Sequence, residues 1–263
     1  MKVGLIITTY NWPEALRLVL ETIKLQNRMP DEVVIADDGS ELPTKTLISQ
    51  YQKDFPCPVK HAWQEDKGFR AAASRNNALR SLSSDIDYVV MIDGDMLLHH
   101  DFIQDHLKFA RQGCFIQGSR ALISRKKTAQ LFNGSLQSLK MHFFSPGIQK
   151  RKNTLRIKML AKLLSKPAQK LKGIRSCNMS FWFDDLKIIN GFNEDFVGWG
   201  KEVSELVVRL FNSGIERLDL KFSALAYHLF HNEHSRDSLP ENKARLEDAM
   251  TKKIKRCDRG LIF

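Results

Sequence analysis

The sequence predicts an α/β fold in which a mostly parallel sheet is flanked by helices. Short apolar runs rich in β-branched residues alternate with stretches of helical periodicity. Three of those runs stop at small polar turns, Thr8-Thr9-Tyr10, Asp37-Asp38-Gly39-Ser40 and Asp93-Gly94-Asp95. At 263 residues the chain is long enough to bury one large core. Alternation of this kind implies βαβ units with right-handed crossovers, which bring the three turns to one edge of the sheet.

Residues 3–9 form the first buried-strand pattern and lead into Tyr10-Asn11-Trp12-Pro13-Glu14. Asn11 is expected to cap the next helix, with Pro13 in its first turn and Glu14 completing a capping box. Leu16, Leu20 and Ile23 continue at helical spacing. Residues 32–36 form a second strand that ends at Asp37-Asp38-Gly39-Ser40, and residues 59–63 a third that leads to Lys67-Gly68-Phe69-Arg70. Residues 71–82 have strong helix propensity. The run Tyr88-Val89-Val90-Met91-Ile92 then delivers Asp93-Gly94-Asp95 to a strand's carboxyl end, where open α/β sheets bind ligands.

Two carboxylates one residue apart, with a glycine that admits close backbone approach, suit a Mg²⁺ or Mn²⁺ ion shared with substrate phosphates. The competing reading is a plain polar turn. Neither G-x-G-x-x-G nor a Walker-type loop occurs, which argues against a dinucleotide dehydrogenase and a P-loop NTPase. Metal is then left to handle the phosphates.

Hydrophobic residues at 43% and charged residues at 27% fit a soluble globular protein. No apolar stretch approaches the ~20 residues of a membrane span, and the N-terminus carries no signal-peptide cleavage pattern. A cytoplasmic location is expected. Cys57, Cys114, Cys177 and Cys257 lack paired ligand spacing, so they read as ordinary thiols. The net charge of +11 is uneven: no Asp or Glu falls between Asp105 and Asp184, while Lys and Arg recur throughout that region. Such a block points to an anionic partner or to a solvated surface.

Ile7-Thr8-Thr9-Tyr10-Asn11, Asp37-Asp38-Gly39-Ser40 and Asp93-Gly94-Asp95, in this order and spacing, resemble a family 2 glycosyltransferase of the Rossmann-like GT-A fold. Cys177-Asn178-Met179-Ser180-Phe181, Asn190-Gly191-Phe192 and Gly198-Trp199-Gly200-Lys201-Glu202 are similar to bacterial polysaccharide and lipopolysaccharide transferases. That second half also resembles the acceptor side of chondroitin polymerases and β-1,4-galactosyltransferases. The resemblance implies a single GT-A domain over 1–263: residues 1–110 hold the nucleotide, and 111–263 serve the acceptor and carry a basic insertion at about 120–172.

By that resemblance, Thr8 and Tyr10 line the base pocket of a nucleotide sugar and Asp38 accepts a hydrogen bond from uracil. Asp93 faces the ribose and the metal, and Asp95 coordinates the metal. Arg70, and less firmly Arg75, lie near the base or diphosphate, the alternative for Arg75 being a helix-surface charge. A histidine after a short apolar strand supplies the remaining ligand, and His228 fits that context best, ahead of His231; His234 lies close by. His99, His100 and His106 lack the context and read as surface residues. Trp199 offers a flat face to a sugar ring or else packs in the core beside Phe192 and Phe196.

In the resembled families the base that deprotonates the acceptor is an Asp directly after Glu. Here that position is Val203, which cannot take a proton. Glu202 or Glu205 could replace it, the protein could bind a nucleotide sugar without turning it over, or positioning and metal electrostatics could leave slow activity. The implied function is inverting, metal-dependent transfer from a UDP-sugar to a bacterial surface glycan such as a lipopolysaccharide core.

Residues 150–172, opening on Lys150 and closing on Lys172, interleave Leu155, Ile157, Leu160, Leu163 and Leu164 with Lys158, Lys162, Lys166 and Lys170. This could be a basic amphipathic helix, interrupted by Pro167, that lies on an anionic membrane at the inner face of the plasma membrane; it could equally be an acceptor-side loop. Nucleic-acid binding is the rival use of the same lysines. No series of stacking aromatics or recognition motif accompanies them, so no nucleic-acid partner is expected.

Overall fold

A computed structural model describes residues 1–134, 141–232 and 237–262. In chain order the first half forms β1 Val3–Thr9, α1 Pro13–Lys24, β2 Glu32–Asp37, α2 Leu42–Lys53, β3 Val59–Trp63, α3 Ala71–Ser81 and β4 Tyr88–Asp93. β1 and β2 are buried on both faces, which is why they read as continuous apolar runs without alternation. The order β3-β2-β1-β4 is entirely parallel. Its register sets Thr8 opposite Asp93 and Thr9 opposite Asp37, so the three expected turns do meet at one edge.

The chain continues through β5 Met96–Leu98, α4 Phe102–Phe109, β6 Cys114–Gln117, β7 Ala121–Ile123, α5 Arg125–Phe132, β8 Ile148–Gln149, α6 Lys158–Leu164 and β9 Pro167–Ala168. It then forms β10 Asn178–Trp182, α7 Phe183–Ile188, α8 Glu202–Asn212, β11 Glu216–Asp219, β12 Ala226–His228 and α9 Leu239–Thr251. β10 runs antiparallel between β4 and β6, and β11 and β9 complete the eight-stranded sheet. A second sheet of order β5-β12-β7-β8 begins directly after Asp95.

Side chains of successive residues leave opposite faces of the main sheet. Leu5, Ile7, Val33, Ile35 and Val90 pack with α1 on one face, while Ile6, Val34, Val89 and Met91 pack with α3, α7 and α8 on the other. Both cores are apolar and continuous, which fixes the carboxyl ends of the strands as a rigid platform. No helix among the described residues is long and apolar enough to cross a membrane.

Three expectations are corrected and one helix is added. Asn11 does not cap α1: Trp12 holds that position, and Asn11, with φ 43°, turns its side-chain oxygen to the Glu41 N–H at 2.8 Å. The helix α2 went unread because only Thr44 and Ile48 of it are buried. The stretch 150–172 is not one helix; it divides into a short turn at Arg151–Thr154, α6 and the edge strand β9. Arg156 explains part of this, since it clamps Asp101 at 2.9 Å and Asp105 at 2.7 Å and anchors the segment to α4. Finally, His106 is fully buried, not on the surface. His234 lies outside the described residues.

Candidate active site

The Asp93-Gly94-Asp95 turn leaves one sheet and enters the other. Gly94 donates its N–H to the Thr8 carbonyl at 2.7 Å, and a Cβ there would sit only 2.7 Å from that oxygen, so the turn requires glycine. Asp93 Oδ1 accepts from Thr8 Oγ1 at 3.1 Å and lies 3.6 Å from Arg75 Nη2. Its Oδ2 accepts from Ser176 Oγ at 3.1 Å.

Asp95 is delivered to two histidines by the small sheet. β12 pairs antiparallel with β5, His228 stands opposite Met96, and Leu229 donates its N–H to the Asp95 carbonyl at 2.9 Å. His228 Nε2 lies 3.3 Å and His231 Nε2 3.2 Å from Asp95 Oδ2. The remaining oxygen, Asp95 Oδ1, is buried with no hydrogen-bond partner. One ligand atom from each of Asp95, His228 and His231 lies within 4.8 Å of the others. An orphaned carboxylate oxygen beside two imidazoles fits a divalent cation, and the nitrogen donors suit Mn²⁺ better than Mg²⁺.

Burial holds the His228 imidazole below its ordinary pKa. The hydrogen bond to Asp95 instead raises His231 to about 8. His231 Nδ1 donates to the Asn232 carbonyl at 2.6 Å, which orients the ring so that Nε2 faces Asp95.

The turn after β2 gathers a second set of polar side chains. Asp38 Oδ2 accepts from the Arg70 N–H at 2.7 Å and Oδ1 from Gln64 Nε2 at 2.6 Å, and burial raises this carboxyl above its ordinary pKa. Tyr10 is 49% exposed and donates to Asp66 Oδ2 at 2.8 Å, so its ring is available at the rim. Gly39 has φ +99°, and a Cβ there would come within 2.5 Å of Asp66 Cα; the two loops meet only because the residue is glycine. Arg70 folds back to the Glu65 carbonyl at 2.5 Å.

The acceptor-side motif is joined to this set through Gly198, whose N–H donates to the Phe69 carbonyl at 2.8 Å. Gly198 and Gly200 take φ 74° and 107° on either side of Trp199, which is 38% exposed and is not a core residue. Glu202 opens α8, and its Oε1 lies 3.4 Å from Arg75 Nη1. Arg75 is only 5% exposed, which rules out the surface-charge reading.

Glu205 points elsewhere. Its carboxylate accepts from Arg209 Nε at 2.7 Å and Nη2 at 2.9 Å, and Arg209 Nη2 also donates to the Gly191 carbonyl at 2.8 Å. This pair is buried and structural. Val203 is buried among Phe192, Phe196, Leu206 and Val207.

Gln64, Asp66 and Ser176 escaped the sequence reading because no local spacing ties them to the turns they serve. His106 joins a buried chain: Tyr88 Oη lies 2.8 Å from Ser180 Oγ, which lies 2.8 Å from His106 Nδ1, and His106 Nε2 lies 2.9 Å from Asn178 Oδ1. The amide nitrogen of Asn178 is committed to the Ser119 and Ala224 carbonyls, so its oxygen accepts and His106 is the Nε2–H tautomer.

Comparisons with known proteins converge on the same chemistry. The family model described as glycosyl transferase family 2 matches residues 5–164, and that of the N-terminal domain of galactosyltransferase matches residues 159–234. The chain is 26% identical over 241 residues to a chondroitin synthase of Escherichia coli, covering 86% of this chain and 34% of that protein. It is 27% identical over 226 residues to a validoxylamine A glucosyltransferase of Streptomyces hygroscopicus subsp. limoneus, covering 81% and 48% respectively. The chain thus spans half or less of these relatives' own length.

Among solved structures, residues 1–349 of S. aureus TarS superpose with TM-score 0.65 at 17% identity, covering 99% of this chain and 67% of that one. TarS is described in complex with UDP-GlcNAc. The mannosyltransferase PcManGT of Pyrobaculum calidifontis, described with GDP-Man and Mn²⁺, superposes with TM-score 0.59 at 17% identity and covers 98% and 65%. At this identity the structures speak for the GT-A fold.

Proposed function

The chain belongs to glycosyl transferase family 2, and from that premise we propose that it transfers a sugar from a UDP-sugar to a glycan acceptor with inversion. The observation that carries this reading is the buried, unpartnered Asp95 Oδ1 in a group with His228 and His231 whose ligand atoms lie close enough to hold a metal ion. Tyr10 and Thr8 line the base side, Asp38 takes the uracil N–H, and Arg70 closes the pocket. Asp95, His228 and His231 would hold Mn²⁺, with Asp93 alongside it toward the ribose. When bound, the cation supplies charge to stabilise the departing diphosphate.

Glu202 is the base in this reading. It lies beside Arg75 and, on the acceptor side of Asp93, takes the proton of the attacking hydroxyl. Trp199 gives the acceptor ring a flat face. TarS, which is described with UDP-GlcNAc, supports a uridine donor, and the chondroitin synthase relatives support a glycan acceptor of the bacterial surface. A lipopolysaccharide core is such an acceptor.

A second reading follows from Val203: the protein binds a nucleotide sugar and turns it over slowly. UDP-sugar consumption by the protein and by Glu202→Gln distinguishes the two. A hundredfold or larger loss in the variant with UDP binding intact supports transfer through Glu202 (~10²–10⁴ is typical of a lost base); equal rates support the binder.

The same protein is proposed to rest on an anionic membrane surface. Ile157, Met159, Leu163 and Leu164 are exposed around α6, with Met159 at 76%, and Lys158 and Lys162 flank them. Flotation with phosphatidylglycerol vesicles but not with phosphatidylcholine vesicles is the expected result.

A further inference from the structure

Beside the Asp-Gly-Asp turn three cations gather, and the nearest acidic charges that act on them, Asp93 and Asp95 on Arg120, make no ion pair with them. Asp93 turns Oδ1 to Thr8 and Oδ2 to Ser176. Arg175 directly precedes Ser176, and Arg120 reaches the next residue, Cys177, where its Nη1 donates to Sγ at 3.0 Å. The β7–β8 register pairs Leu122 with Gln149, so Lys150 follows β8 at the point where Arg120 precedes β7. None of the three has an Asp or Glu within 4.0 Å among the described residues.

The backbone that carries these side chains is held in place by its surroundings. Asn153 Nδ2 donates to the Arg120 carbonyl at 2.7 Å. Gln117 brackets Arg175, accepting from its N–H at 3.0 Å and donating to its carbonyl at 3.1 Å. Lys150 is held in the left-handed region with φ 53°, which a lysine adopts only when its surroundings impose it. Burial, then the Arg175 and Arg120 charges, keep its ammonium below the ordinary pKa.

Arg120 gains no ionic partner in its thiol neighbour, because burial pushes Cys177 up to about 12 and leaves it neutral; the Asp93 and Asp95 charges favour the guanidinium only from beyond ion-pair distance. Arg120 Nε is buried and has no hydrogen-bond partner. A donor without an acceptor, beside two further cations and with no carboxylate in contact, is suited to an oxyanion.

We propose that Arg120, Lys150 and Arg175 form a binding site for a phosphate or carboxylate group carried by the acceptor. The inference rests on the transfer reading for the word acceptor. It goes beyond that reading in requiring the acceptor to be an acidic glycan that enters from the Ser176 side of Asp93. The guanidinium forks match oxyanion geometry, and Lys150 adds a point charge.

Calorimetric titration with glucose 6-phosphate, at saturating UDP and Mn²⁺, tests it, with glucose as control and inorganic phosphate as competitor. Lys150→Asn with Arg175→Gln is the test variant, because both side chains are exposed. The expected result is that glucose 6-phosphate binds and glucose does not, and that the double variant loses about tenfold or more in affinity while its UDP affinity is unchanged. Equal binding of glucose, or an unaffected variant, overturns the site. A fall in UDP affinity in the variant also overturns it, because the cations then serve the donor diphosphate. If the parent protein binds no UDP, the transfer reading falls, and the same titration without nucleotide still decides whether the oxyanion site exists.

Discussion

Glu202 Oε1 stands 3.4 Å from Arg75 Nη1, across a sequence separation of 127 residues. The other arm of the same guanidinium lies 3.6 Å from Asp93 Oδ1. One buried arginine from α3 thus ties the acceptor-side helix to the strand end that carries the Asp-Gly-Asp turn. Phe192 packs against it, with the guanidinium 5.3 Å from the ring centre.

Glu202→Gln keeps the hydrogen bond to Arg75 and removes the proton acceptor. Turnover is expected to fall ~10²–10⁴-fold, with UDP affinity unchanged in a parallel titration. A variant that turns over at the parental rate would clear Glu202 of the role.

Val203→Asp installs the carboxylate that the family resemblance leads one to expect here, but it puts that group among Phe192, Phe196 and Leu206. Without a partner there the charge is costly. The thermal midpoint is expected to drop and the rate is not expected to rise; a faster enzyme would mean that position 203 faces the acceptor.

The Glu205–Arg209 pair supports α8 from within. Both side chains are almost fully buried, and breaking such a pair by removing one partner costs about 3–5 kcal/mol. Arg209→Met is therefore expected to shift the urea midpoint strongly, whereas the exposed pair Lys252–Asp248 is expected to contribute within measurement error.

The buried His106 gives the fold an acid sensitivity. Burial lowers its pKa from 6.5 to about 4, so the folded state keeps it neutral where the unfolded chain binds a proton. Between those two values stability rises with pH: the contribution is complete above pH 6.5 and is lost as pH falls toward 4, by up to about 3 kcal/mol. Urea melts across this window are expected to show that slope, and His106→Gln is expected to reduce it, the remainder coming from His99, which burial also pushes down to about 4.

Much of the nucleotide half was legible because its strands are buried on both faces and end in short polar turns. β1, β2 and β4 announce themselves as apolar runs, and Asp38, Asp93 and Asp95 follow them directly. The acceptor half was less legible. β5, β7, β8 and β12 are two or three residues long, too short for any periodicity, and only their pairing brings His228 to Asp95. In the sequence Arg75 stays open and His106 reads as a surface residue for a related reason: a charged or imidazole side chain on a helix looks solvated until its partners arrive from distant strands. The 150–172 stretch has a helical pattern of lysines, yet Arg156 and the β9–β11 pairing divert it.

In the proposed mechanism Asp95, with His228 and His231, completes a cation site on which a uridine diphosphate is held. Calorimetric binding of UDP with and without Mn²⁺, to the protein and to Asp95→Asn, tests it most directly. Binding is predicted only with Mn²⁺ and only in the parent protein. Equal affinity without the metal, or an undiminished affinity in Asp95→Asn, would contradict the account.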